Sequence, residues 1–125
     1  MPNKIQMYRI SSGAIDALGA AEAYSIPVRG RILSVHVDYP TNTCTVDLDT
    51  DEAVSQKIVD LAAANTDAVY YPRTPVCSNA GAENVYFEGT NKVHTEFVVF
   101  GRIKLTIASG TADEIVNVSI LVEEW

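Results

Sequence analysis

Apolar residues recur at every second position along most of this chain, and a period of two admits strands that bury one face. In residues 30–39, Leu33, Val35, Val37 and Tyr39 fall on one side of an extended backbone while Ser34, His36 and Asp38 fall on the other. Near the C-terminus Val116, Val118, Ile120 and Val122 alternate in the same way with Asn117, Ser119, Leu121 and Glu123. Residues 4–10, 43–50, 56–62, 68–71, 93–100 and 102–108 are rich in β-branched or aromatic side chains, which suit a pleated surface. Between them lie turn-forming clusters: Tyr39-Pro40-Thr41-Asn42, Asn65-Thr66-Asp67, Ser78-Asn79-Ala80-Gly81, Glu88-Gly89-Thr90-Asn91 and Ala108-Ser109-Gly110-Thr111. The pattern predicts an all-β fold, an antiparallel β-sandwich or jelly roll of about eight strands. Leu33, Val35, Val37, Val118, Ile120 and Val122 are its expected core.

The 125 residues fit one domain, large enough to fold without metal or disulfide staples. We divide it into an extended N-terminal arm or first strand at 1–24 and a β-sandwich at 25–125. Residues 13–23 collect alanine, leucine and isoleucine, but Gly19 interrupts them and Pro27 closes the stretch, so extended or irregular backbone is expected there. Residues 51–57 have room for one helical turn. Nine basic against sixteen acidic residues give a net charge of -7, the wrong sign for neutralising phosphates, so no nucleic-acid partner is expected. No apolar run approaches the ~18 residues of a membrane span, and the first residues lack the apolar core of a signal peptide. A soluble, unexported protein without a membrane partner is the expectation.

Few groupings invite chemistry. Cys44 and Cys77 lack zinc-site spacing and are too few for a disulfide framework; each reads as a small buried hydrophobe, with a single bridge between them left open. Ser34, His36 and Asp38 are the side chains of a hydrolytic triad on one strand face. Same-face neighbours on a strand lie ~6.6 Å apart, beyond the hydrogen bonds a triad needs, so a solvated polar face is expected and no catalytic residue is assigned. Asp47, Asp49 and Asp51 superficially match the opening of a calcium loop, but Glu52 and Ile58 stand where an EF-hand requires Gly and Glu. An acidic strand edge is the expected role, and no metal or cofactor is assigned. His94 has no ligand partner at metal spacing, the sequon Asn117-Val118-Ser119 falls mid-strand, and residues 83–89 (ENVYFEG) are similar to a tag-removal protease site but carry Glu where it needs Gln. Tyr70, Tyr71, Pro72, Arg73, Thr74 and Pro75 form the most distinctive segment, a stiff path that no central strand accommodates.

The run Ile26-Pro27-Val28-Arg29-Gly30-Arg31-Ile32-Leu33 leads into His36-Val37-Asp38-Tyr39 and is followed by Asn65-Thr66-Asp67, Tyr71-Pro72-Arg73-Thr74 and Gly101-Arg102-Ile103-Lys104-Leu105-Thr106-Ile107. This succession, over residues 25–124, resembles a group of small tailed-bacteriophage virion proteins of the capsid-decoration, or cement, type. The resemblance implies a non-enzymatic sandwich or jelly roll, made in the host cytoplasm, that binds and stabilises the assembled lattice of a major capsid protein, as a homotrimer. Tyr70, Tyr71, Arg73, Arg29 and Arg31 are the expected partner-binding residues, since Tyr and Arg are enriched in interface hot spots. Two alternatives stand beside it. One is a carbohydrate- or calcium-binding sandwich with Tyr70, Tyr71 and Trp125 as an aromatic platform near the aspartates; the other is a head-tail or tail component.

Overall fold

The alternating segments close into two antiparallel sheets that share one core. The computed structural model describes residues 4–75, 85–86, 91–92 and 94–125, and among these there is no helix. The strands are β1 (Lys4–Ser11), β2 (Ala21–Tyr24), β3 (Val28–Asp38), β4 (Cys44–Thr50), β5 (Lys57–Ala64), β6 (Ala68–Tyr70), β7 (Arg73–Pro75), β8 (Val85–Tyr86), β9 (Asn91–Lys92), β10 (His94–Gly101), β11 (Ile103–Ala108) and β12 (Asn117–Glu124). A six-stranded sheet runs β1-β12-β3-β10-β7, with β6 also on β3, and a four-stranded sheet runs β2-β11-β4-β5. The short β8 and β9 pair with each other. The fold is therefore the β-sandwich that the alternation predicts, with first and last long strands side by side. Of residues 1–24, Lys4–Ser11 pair along their whole length with β12, and Ala21–Tyr24 join the other sheet through β11.

The inner faces meet in a core of Val, Ile and Leu. Val35, Val37, Val99, Val118, Ile120 and Val122 come from the six-stranded sheet, and Val46, Leu48, Ile103, Leu105 and Ile107 from the other. Each such side chain contributes ~1.5–3 kcal/mol by leaving water. Leu33 departs from the expected core: it is half-buried, and Ile32 takes the inner position instead. The cause is a bulge. Leu121 faces Ser34 but the next residue, Val122, faces Ile32, so Leu33 is an extra residue on β3. The inward set therefore runs Val28, Gly30, Ile32 before the bulge and Val35, Val37, Tyr39 after it. The bulge also divides the far edge of β3, where Val28–Ile32 pair with β10 and Val35–Val37 with β6.

The helical turn expected at 51–57 does not form. The Thr50 N–H donates to the Gln56 carbonyl at 2.9 Å and the Gln56 N–H to Thr50 Oγ1 at 2.8 Å, which ties the two ends together as a short strap. Thr50 is buried at the root of this loop, so the tie satisfies its hydroxyl. The stiff segment 72–75 supplies β7, a three-residue edge strand, where proline is tolerated because one side of the strand has no ladder to donate to.

Candidate functional site: the outer face of the six-stranded sheet

Strand pairing lines up residues remote in sequence on the outward side of the larger sheet. Ile5, Glu123, Arg31 and Val98 form one row across β1, β12, β3 and β10. Arg9, Ser119, His36 and Val69 form another across β1, β12, β3 and β6. Arg29 faces Phe100, and Arg73 faces Glu96. Four of the five arginines in the chain, Arg9, Arg29, Arg31 and Arg73, thus share this face, while Arg102 lies elsewhere. Apolar side chains are interleaved with them: Ile5, Met7, Val69, Val98 and Phe100 are all exposed on it, with Tyr71 and Trp125 at its margins. Phe100 is 70% exposed, a large cost for an aromatic ring unless something covers it.

The arginines are held in different ways. Arg31 is fixed by Glu123, with Nη2 to Oε1 at 2.7 Å, and by Glu96, with Nη1 to Oε2 at 3.5 Å. The hydrogen bond that Arg31 donates to Glu123, and then the Glu123 charge, raise the Arg31 pKa above its usual value. The Arg29 guanidinium sits 5.8 Å from the centre of the Phe100 ring and donates from Nη2 to the Trp125 carbonyl at 3.2 Å. Arg73 donates to the Pro72 carbonyl at 2.7 Å. Arg9 makes no ion pair among the described residues, and it lines an open groove of about 740 Å³ with His36, Asp38, Asp67, Asn117 and Ser119.

Of the expected partner-binding residues, Arg29, Arg31 and Arg73 come together on this face and Tyr71 stands exposed beside it. Tyr70 does not belong to it. Its side chain packs against the core opposite Val35, near Tyr39. Burial first, and then Tyr70, push the Tyr39 hydroxyl pKa up, and that hydroxyl has no hydrogen-bond partner among the described residues. The platform of Tyr70, Tyr71 and Trp125 beside the aspartates is not assembled, because the aspartates lie on the other sheet. Sequence reasoning missed Arg9, Ile5, Met7, Val98 and Phe100. The signal for the last two was the unbroken apolar run Phe97-Val98-Val99-Phe100, which has no polar side to turn to water.

The spacing argument against a Ser34–His36 contact fails: Ser34 Oγ lies 3.2 Å from His36 Nε2. Side chains lean along a strand, and the bulge beside Ser34 bends the backbone there. Ser34 is only 5% exposed and Asp38 makes no hydrogen bond to His36, so the contact satisfies a buried hydroxyl. Asp47 and Asp49 face outward on the four-stranded sheet, where Lys57 Nζ approaches Asp49 at 3.1 Å and Asp47 at 3.9 Å. Arg102 holds Asp51 with two donors at 2.6 and 3.0 Å. Asp47 stands opposite Asp60, and burial first, then the neighbouring Asp60 carboxyl, raise its pKa. Among the described residues no group of three or more His, Cys, Asp or Glu side chains is placed to hold a metal ion. Cys44 is a free, buried thiol whose pKa burial pushes up, while Cys77 and most of 83–89 lie outside the described residues. Among known proteins, no family model, curated protein or solved structure matches this chain.

Proposed function

We propose that the protein is a structural component of a bacteriophage virion that decorates the assembled capsid lattice, docking on the major capsid protein through the outer face of its six-stranded sheet. The observation that carries this reading is the gathering of four arginines and five exposed apolar side chains on one rigid sheet face. Aromatic residues and arginine dominate binding hot spots, and a preordered sheet face loses little entropy when it docks. The resemblance to capsid-decoration proteins supplies the partner. Several copies engaging repeated lattice sites gain avidity from effective concentration, which makes binding depend on assembly.

Co-sedimentation with expanded capsids of the encoding phage tests this. Phe100→Asp combined with Arg29→Glu is expected to reduce capsid occupancy at least tenfold while the thermal midpoint stays within a few degrees, since both side chains are exposed. Lys104→Glu, on the other sheet, is expected to leave occupancy unchanged. Full occupancy with the face variant removes the face as the anchor. A wild-type protein that ignores capsids refutes decoration itself.

A further inference from the structure

The edges of the two sheets are protected unequally. In the four-stranded sheet, β2 has four residues. At its other edge β5 has eight, but its register with β4 is broken at two places, and Lys57 and Asp60 project from it. In the six-stranded sheet β7 has three residues and ends at Pro75. Short strands, prolines, bulges and charged side chains are the devices by which sheets avoid pairing with other chains. Of these β1 carries only two charges, both of one sign. It is eight residues long, in unbroken register with β12, without proline, and its only charged side chains are Lys4 and Arg9. Ile5 and Met7 project from it, 59% and 40% exposed. Among the described residues its only pairing is with β12, so its second row of backbone N–H and C=O groups is unpaired by protein.

We propose that β1 is a self-association edge: two copies of this chain pair β1 against β1, antiparallel about a two-fold axis at Met7, and join their six-stranded sheets into one. Two observations select a second copy in this register. Directly opposed residues of an antiparallel pair share a sheet face. About Met7, Lys4 then faces Ile10, Ile5 faces Arg9, Gln6 faces Tyr8 and Met7 faces its own copy, so no like charges meet. The outward apolar residues Ile5 and Met7 of both copies also become one continuous patch, flanked by the aliphatic stem of Arg9. A two-fold at Tyr8 would set that ring against itself, where its hydroxyl is already engaged with Glu124. A two-fold at Gln6 would shorten the paired stretch. The interface is two-fold, unlike the trimer that the resemblance implies, and it does not rest on the capsid reading because it forms without a capsid.

Light scattering of the size-fractionated chain, from micromolar to millimolar, is the first measurement, with a concentration-dependent doubling of mass expected. Met7→Cys then locates the axis. Opposed residues have Cα atoms ~4.5–5.5 Å apart, within reach of a disulfide, so mild oxidation is expected to cross-link the dimer through the substituted position. Ile5→Cys is expected not to cross-link, because its two copies sit ~13 Å apart at strand spacing. Peptide mass mapping separates these bonds from any made by Cys44 or Cys77. Ile5→Lys with Met7→Lys, both exposed positions, is expected to weaken the dimer at least tenfold without moving the thermal midpoint at concentrations where wild type is monomeric. A chain that stays monomeric at millimolar concentration overturns the proposal. So does a dimer that Met7→Cys fails to cross-link or that survives the double lysine variant.

Discussion

Gly30→Ala is expected to cost about 2–6 kcal/mol of folding stability, an amount that comes from two separable terms. Gly30 lies buried within β3, between Glu124 on β12 and Val99 on β10, with φ at +153°. A side chain disfavours that backbone region, at roughly 1–3 kcal/mol. The second term is collision. An added Cβ would stand 2.1 Å from the Glu123 carbonyl oxygen, 2.9 Å from its carbon and 3.0 Å from Glu124 Cα. All three are backbone atoms of the neighbouring strand, so no rotamer change relieves the overlap, and β3 and β12 must part locally. Losing two or so ladder hydrogen bonds adds about 0.5–1.5 kcal/mol each. Gly101 provides the control: its φ is +128°, but nothing lies within 4 Å of its added Cβ, so Gly101→Ala carries the strain term alone. Urea unfolding followed by circular dichroism, at constant m-value, reads both variants. Equal destabilisation of the two would refute the collision argument and the close approach of β3 to β12.

Three further outcomes follow from burial and charge. Val35→Asp and Ile120→Asp are expected to unfold the domain, because an unpaired core carboxylate costs several kcal/mol against a total of ~5–15, whereas Val98→Asp on the outward side is expected to stay folded; circular dichroism distinguishes them. The raised Asp47 pKa means that the fold favours its protonated form, so this group stabilises at acid pH and the contribution is lost as pH rises through the folded-state value, above the ordinary carboxyl range near ~4. Asp60→Asn is accordingly expected to stabilise the protein at pH 7 by about 0.2–1 kcal/mol and to flatten that pH dependence; a lowered thermal midpoint would contradict it. Ser34, buried against His36, is expected to resist fluorophosphonate labelling, and labelling that disappears in His36→Ala would reverse that reading.

The period of two was sufficient to read the all-β class and most of the core, because Val118, Ile120 and Val122 pack inward wherever β12 sits. It failed at Leu33 for a specific reason. Residues 32–37 read Ile-Leu-Ser-Val-His-Val, in which either Ile32 or Leu33 continues an apolar face, and only the pairing with Leu121 and Val122 decides that Leu33 is the extra residue. Ser34 was misread for the same reason, since its contact with His36 depends on local backbone bend that alternation does not encode. The two-residue strands β8 and β9 and the three-residue β7 are too short for a period to register.

The face proposed for docking was less legible, because alternation tells which residues share a face of one strand but not which strands share a sheet. Arg9, Arg29 with Arg31, and Arg73 sit on three strands separated in sequence by strands of the other sheet, and they converge only once the order β1-β12-β3-β10-β7 exists. The same sorting sends Glu22, Asp47, Asp49 and Asp60 to the outer side of the four-stranded sheet, with Lys57 and Lys104 among them. A net charge of -7 therefore averages two unlike surfaces. On the arginine side, four guanidiniums against Asp38, Asp67, Glu96 and Glu123 leave no local excess of positive charge. Without one the face does not suit a run of phosphates, each of which needs its own cation. The proposed docking would therefore need a protein surface that offers carboxylates to Arg9 and Arg29 and apolar area to Phe100 and Val98, since Arg31 is already engaged by two glutamates.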